Sequence, residues 1–164
     1  MSLYLDEKYH ECCKLLRSLK IPYGNIVSVK SSRQLRKPWG RCKRSGDKYT
    51  ILINSILTDG NHDAGLINTL IHEMLHTCPD CMEHNKKWHH YVDIVYRKTG
   101  IQIKELNNCN EKGVTLEDKI KNAKYVLMCT HCDGVILKYR ECMMTDYPEL
   151  FRCSICGSKI KRIR

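Results

Sequence analysis

The stretch Asp63-Ala-Gly-Leu-Ile-Asn-Thr-Leu-Ile-His-Glu-Met-Leu-His76 says more about the fold than any other segment of the chain. Its apolar residues Leu66, Ile67, Leu70, Ile71, Met74 and Leu75 recur at helical spacing, and Asp63 is the expected N-cap. Pro79 and Asp80 break the helix. Within it, expected at mid-helix, stands His72-Glu73-Met74-Leu75-His76, an H-E-x-x-H pattern. Residues four apart lie one above the other on a helix face, so both imidazoles can reach one zinc at about 2.0 to 2.1 Å. Glu73 then stands beside the metal's open position, where a carboxylate takes a proton from water and returns it to a leaving amine. The zinc contributes acidity, lowering the pKa of a bound water to about 7 and polarising a carbonyl.

A catalytic zinc usually has three protein ligands and leaves the fourth position for water. The candidates downstream are Asp80, Glu83, His84, His89, His90 and Asp93. His84 precedes Trp88 by four residues and Tyr91 by seven, so a helix extended back by one turn would turn all three inward. His84 is therefore the favoured third ligand. A carboxylate from Asp80 or Glu83 stays open, and His89 and His90 read as solvated or as supports for the ligands. The eight-residue step from His76 to His84 is too long for H-E-x-x-H-x-x-G-x-x-H, which sets the metzincin subclass aside.

Outward from this core, residues 3 to 20 fit an amphipathic helix ending before Pro22, and 85 to 98 a second one stopped by Gly100. Short strands are expected at Ile26 to Val29 and Tyr49 to Asn54, with a loop between them. From Lys30 to Lys48 that region holds eight basic residues against the single Asp47. Residues 107–124 read as a linker followed by a short helix, which divides the chain into 1–106 and 125–164.

The C-terminal part carries Cys129-Thr-His-Cys132 and Cys153-Ser-Ile-Cys156, two knuckles twenty residues apart. Each sets two thiolates on a tight turn, and together they close a tetrahedral structural zinc site, the pattern of a zinc ribbon. Cys78-Pro-Asp-Cys81 is a third C-x-x-C, but a helix precedes it where a redox motif would need a strand. It reads as packing or turn-forming, with a regulatory disulfide or a further metal contact as the other readings. Cys12, Cys13, Cys42, Cys109 and Cys142 have no partner at ligand spacing and read as small core or surface residues.

The 164 residues suit one domain with a small appended module, and 42% hydrophobic against 28% charged residues excludes a disordered chain. No apolar run is long enough to span a bilayer, and charges interrupt the N-terminus where an export signal needs its apolar stretch. The expected compartment is therefore reducing, either cytoplasm or nucleus, where eleven clustered cysteines favour metal over disulfides. A formal charge of +10 favours polyanionic partners, nucleic acid first. Arg33, Arg36, Lys37, Arg41, Lys43 and Arg44 are the expected phosphate contacts.

Taken in order, Trp39-Gly40-Arg41-Cys42, the strand Tyr49 to Asn54, His72-Glu73-Met74-Leu75-His76 and His84-Asn85-Lys86-Lys87-Trp88 resemble the SprT-like metallopeptidases over roughly residues 5 to 160. That resemblance implies an α+β, zincin-like peptidase domain with a small C-terminal zinc ribbon. It also implies histidine ligands at 72, 76 and 84, Glu73 as general base, and proteolysis of DNA-bound or DNA-crosslinked proteins. Two departures border the expected cleft: Asn85 follows the third histidine where the family has glycine, and Cys78 and Cys81 stand in the preceding loop. The expectation is thus a monomeric zinc peptidase with one catalytic and one structural zinc, a protein substrate and DNA as partner. An inactive zinc-ribbon adaptor for nucleic acid, or a general peptidase indifferent to DNA, are the competing readings.

Overall fold

The computed structural model describes residues 3–35, 38–105 and 112–164. Arg36, Lys37 and Cys109, named above, lie outside the described residues. The chain divides into two compact units, Met1–Val114 and Thr115–Arg164, both mixtures of helix and strand.

The first unit opens with helix α1 (Leu3–Ser18), which buries Leu5, Cys12, Cys13 and Leu16. Strands β1 (Asn25–Ser32), β2 (Gly40–Ser45) and β3 (Lys48–Asn54) form a sheet of order β1-β3-β2, with β1 parallel and β2 antiparallel to β3. Helices α2 (Asp63–Leu75) and α3 (Lys86–Thr99) complete the unit. Strand β2 corrects the sequence reading, which had a loop there. Gly40-Arg-Cys-Lys-Arg-Ser45 has almost no apolar residues to alternate; it is an edge strand whose only half-buried residues are Gly40 and Cys42. Gly46, at φ +62, makes the tight turn that returns the chain to β3.

Strand register decides which basic residues share a face. Lys30 and Arg41 both pair with Leu52, and Lys43 pairs with Thr50, so all three project from one face of the sheet. The opposite face carries the buried Val29, Ile51 and Ile53 into the core beneath α2.

Helix α2 is the centre of that core. Leu66, Leu70, Ile71, Met74 and Leu75 are fully buried, each contributing about 1.5 to 3 kcal/mol by leaving water. Asp63 does not cap it, contrary to expectation. The N-cap is His62, whose side chain makes no capping bond, while Asp63 accepts from Lys8 Nζ at 3.1 Å and from the Tyr4 hydroxyl. Its carboxylate thus ties α2 to α1. The Asn85 side chain caps α3 by accepting from the N–H groups of Lys87 and Trp88, and Gly100 at φ +74 ends it.

In the second unit a short helix α4 (Leu116–Asn122) begins with a capping box between Thr115 and Asp118. Strand β4 (Tyr125–Cys129) is the centre of a sheet, flanked antiparallel by β5 (Val135–Lys138) and β6 (Ile160–Arg162). A four-residue helix α5 (Met143–Asp146) lies in the connection. Leu127, Cys129, Cys153 and Ile160 form its small core.

Candidate active site

The H-E-x-x-H pattern lies at the C-terminal end of α2 rather than at mid-helix. His72 is in the last turn and His76 is the C-cap itself. The two Nε2 atoms are 3.2 Å apart, and His84 Nε2 is 3.1 Å from that of His72. Ligands on a tetrahedral zinc at about 2.0 to 2.1 Å stand about 3.3 Å from one another, so these separations suit that ion. The ring orientations fit as well. His72 Nδ1 faces the Lys104 carbonyl at 3.0 Å, and His76 Nδ1 faces that of Cys81 at 2.8 Å. A carbonyl only accepts, so Nδ1 carries the proton and the Nε2 lone pair is free for a metal. Burial, reinforced by the neighbouring imidazoles, lowers the pKa of His72 to about 3, and burial also lowers that of His76. Both rings are neutral at neutral pH, the form a metal requires.

His84 reaches the cluster by a different route from the one its spacing suggested. Helix α3 begins only at Lys86, so His84 is not on a backward extension of it. The chain reverses through residues 77–85 and returns His84 to the end of α2. Trp88, fully buried, lies beneath the trio with its ring centroid 4.5 Å from His84 and 5.1 Å from His72. Asp80, Glu83, His89, His90 and Asp93 are exposed, and none of them joins the three histidines. Cys78 and Cys81 are buried beneath the reversal, and burial pushes the Cys78 thiol up to about 12. The Cys81 carbonyl is the one that orients His76.

Glu73 points from α2 into a cavity of about 300 Å³ that is also lined by His72, His76, Trp39 and Met82. It is only 6% exposed, and burial raises its pKa to about 7. A hydrogen bond from the Cys42 N–H opposes that rise, as do the charges of Lys112 and Arg41. Strand β2 therefore passes directly beside the carboxylate, and Gly40 permits this. A Cβ there would lie 2.6 Å from both the Cγ and Oε1 of Glu73. The sequence reading missed these supports. The Cys42 contact is made by backbone, and Lys112, buried with Nζ on Asn68 Oδ1, is 39 positions from Glu73 in the chain.

A family model described as SprT-like matches residues 9–112, well over half of the chain. The chain belongs to the SprT-like family. The matched segment contains the three histidines, Glu73 and all of β2, while the second unit lies beyond it. No curated protein matches the chain. Among the described residues no helix is long and apolar enough to cross a membrane.

Beyond the SprT-like segment, Cys129, Cys132, Cys153 and Cys156 converge in the second unit. Cys129 Sγ is 3.4 Å from Cys156 Sγ, and Cys132 Sγ is 3.5 Å from Cys153 Sγ. A tetrahedral ion with zinc–sulfur bonds of about 2.3 Å has edges of about 3.8 Å, so the cage is of the right size for zinc. The N–H groups of His131 and Cys132 point at Cys129 Sγ, both at 3.4 Å, as a knuckle turn directs them. Hydrogen bonding from Ser158 lowers the Cys156 thiol to about 6, which favours the thiolate that binds metal. Of the expected phosphate contacts, Arg33, Arg41, Lys43 and Arg44 are exposed. Arg44 is partly engaged, its Nε donating to the Gly46 carbonyl and its guanidinium lying over Tyr49. Lys30, which the sequence reading did not single out, shares a sheet face with Arg41 and Lys43.

Proposed function

We propose that this SprT-like chain is a zinc-dependent metallopeptidase of zincin type that cleaves proteins bound or crosslinked to DNA. The observation that carries the catalytic part is the convergence of the imidazoles of His72, His76 and His84, the first two lining one cavity with the buried carboxylate of Glu73. Zinc held by those three histidines would supply Lewis acidity toward a scissile carbonyl and an attacking water. Glu73 is the proton acceptor for that water and then the donor to the departing amine. Its pKa, raised by burial to about 7, suits both halves of this task near neutral pH. The Cys42 N–H anchors the carboxylate, and Lys112 and Arg41 add positive charge to the walls where negative charge develops. Among the described residues strand β2 pairs with β3 alone, so an extended peptide can add to its other edge beside Glu73.

The DNA part is supported by the net charge of +10 and by Lys30, Arg41 and Lys43 on one sheet face, the last two on the strand that lines the cavity. The four-cysteine cage of the second unit would hold a second, structural zinc. The test is cleavage of a DNA-binding protein with and without DNA, by wild type and Glu73→Gln. The expected result is DNA-stimulated cleavage that falls by about 10²- to 10⁴-fold in the Gln variant. Equal cleavage without DNA would indicate a general peptidase. Cleavage unaffected by Glu73→Gln would remove the catalytic assignment of Glu73, and DNA binding without cleavage by either protein would leave a nucleic-acid adaptor.

A further inference from the structure

The three histidines differ in what holds them. His72 and His76 each turn Nδ1 to a backbone carbonyl, whereas the group facing His84 Nδ1 is a side chain, the carboxylate of Glu105, with Oε2 at 3.8 Å. The other oxygen of that carboxylate, Oε1, is 3.0 Å from His89 Nε2 on the first turns of α3. Glu105 thus bridges His84, which lies in the chain reversal ahead of α3, and His89, which α3 carries. Glu105 also follows directly after Lys104, whose carbonyl orients His72. One short segment therefore faces two of the three rings.

We propose that Glu105 is a positioning residue for His84, with His89 as its anchor. This rests on the reading of the three histidines as a zinc site. The physical need is specific to His84. His72 is fixed by the last turn of α2 and His76 is its C-cap, but His84 precedes the α3 cap and its backbone belongs to neither helix. A carboxylate charge 3.8 Å from Nδ1 acts electrostatically, favouring the tautomer with its proton on Nδ1, which leaves the Nε2 lone pair for the ion. The 3.0 Å contact with His89 Nε2 restricts the Glu105 rotamers and sets the direction of the carboxylate. Glu105 also lines the cavity that holds Glu73, so its charge lies within the site it organises.

The experiment is competition between the protein, loaded with zinc in both sites, and a chromophoric chelator. Wild type is compared with Glu105→Ala, Glu105→Gln, His89→Ala and, as control, His84→Ala. The histidine-site zinc is the ion that His84→Ala loses. Glu105→Ala should release it at a chelator strength about 10- to 100-fold lower than wild type, the range for partners that orient metal ligands. His89→Ala should shift it in the same direction by less, and Glu105→Gln, which keeps an acceptor but loses the charge, should fall between wild type and Glu105→Ala. The release of the four-cysteine zinc should not move. Both tryptophans, Trp39 and Trp88, belong to the first unit, so fluorescence-detected melting of metal-depleted protein reports that unit. Matching melts for wild type and Glu105→Gln exclude a folding defect as the cause. If Glu105→Ala and Glu105→Gln hold zinc within about threefold of wild type while His84→Ala loses it, this inference is overturned and the zinc-site reading stands. If His84→Ala keeps its zinc, the zinc-site reading fails first and takes this inference with it.

Discussion

Gly40 lies against Glu73 so closely that a methyl group at position 40 would stand 2.6 Å from two atoms of the carboxylate arm. Moving the arm would not by itself relieve the clash, because the same methyl would also meet Thr69 Cγ2 at 2.8 Å. Gly40→Ala should therefore displace Glu73 or lift β2 from it. Displacement of a reacting group by about 1 Å costs about 10²-fold in rate, so peptidase activity should fall by roughly that factor. Zinc content should be unchanged, since no ligand moves. An active Gly40→Ala enzyme would show that Glu73 does not need the neighbouring strand.

The two ligand sets predict two zinc ions of different character. Elemental analysis should find two per chain. His76→Ala should remove one, leaving the second unit folded. Replacing Cys129 and Cys132 should remove the other and unfold that unit, whose core of Leu127, Cys129, Cys153 and Ile160 is too small to hold without its ion. A single zinc in wild type would mean that one of the two sites is misread.

If the outer sheet face touches phosphates, replacing Lys30, Arg41 and Lys43 together by Ala should weaken DNA binding and flatten its salt dependence. The slope of log affinity against log salt should fall by up to about 0.9 for each duplex phosphate that is no longer neutralised. An unchanged slope, measured by fluorescence anisotropy across a salt series, would place the DNA on another face of the protein.

Burial raises the pKa of Glu73 from its ordinary 4.5 to about 7, which makes a pH signature in metal-depleted protein. Between those values the folded state keeps a proton that the unfolded chain releases. Stability is therefore lost as pH rises through that window, by about 3 kcal/mol in full. Glu73→Gln lacks this loss. By tryptophan fluorescence the two proteins should melt alike at pH 4.5, with the variant gaining on wild type up to pH 7 and by a constant margin above. Parallel curves across that window would show that the Glu73 carboxyl titrates as it does in water.

Short-range pattern was enough for some of this protein, because some of its decisive geometry is local. A helix repeat of 3.6 residues sets His72 and His76 on one face whatever surrounds them, and a C-x-x-C turn aims two thiolates together without help from the rest of the chain. Those motifs, the apolar stripe of α2 and the mixed helix-and-strand character were legible in the residues alone. Spacing also singled out His84, but the mechanism attached to it was wrong, since a chain reversal brings it to the site rather than a helix extension. Strand β2 was hidden because an edge strand needs no apolar alternation; pairing with β3 makes it a strand, and pairing is not a local property. What only the tertiary structure decided is of this second kind. The Cys42 N–H on Glu73, the close approach at Gly40, the carboxylate of Glu105 between His84 and His89, and the sheet face that Lys30 shares with Arg41 and Lys43 bring together groups that are far apart in the chain or that any residue's backbone could supply. Such contacts depend on how elements pack, and their energetics follow from burial and register, which no window of sequence contains.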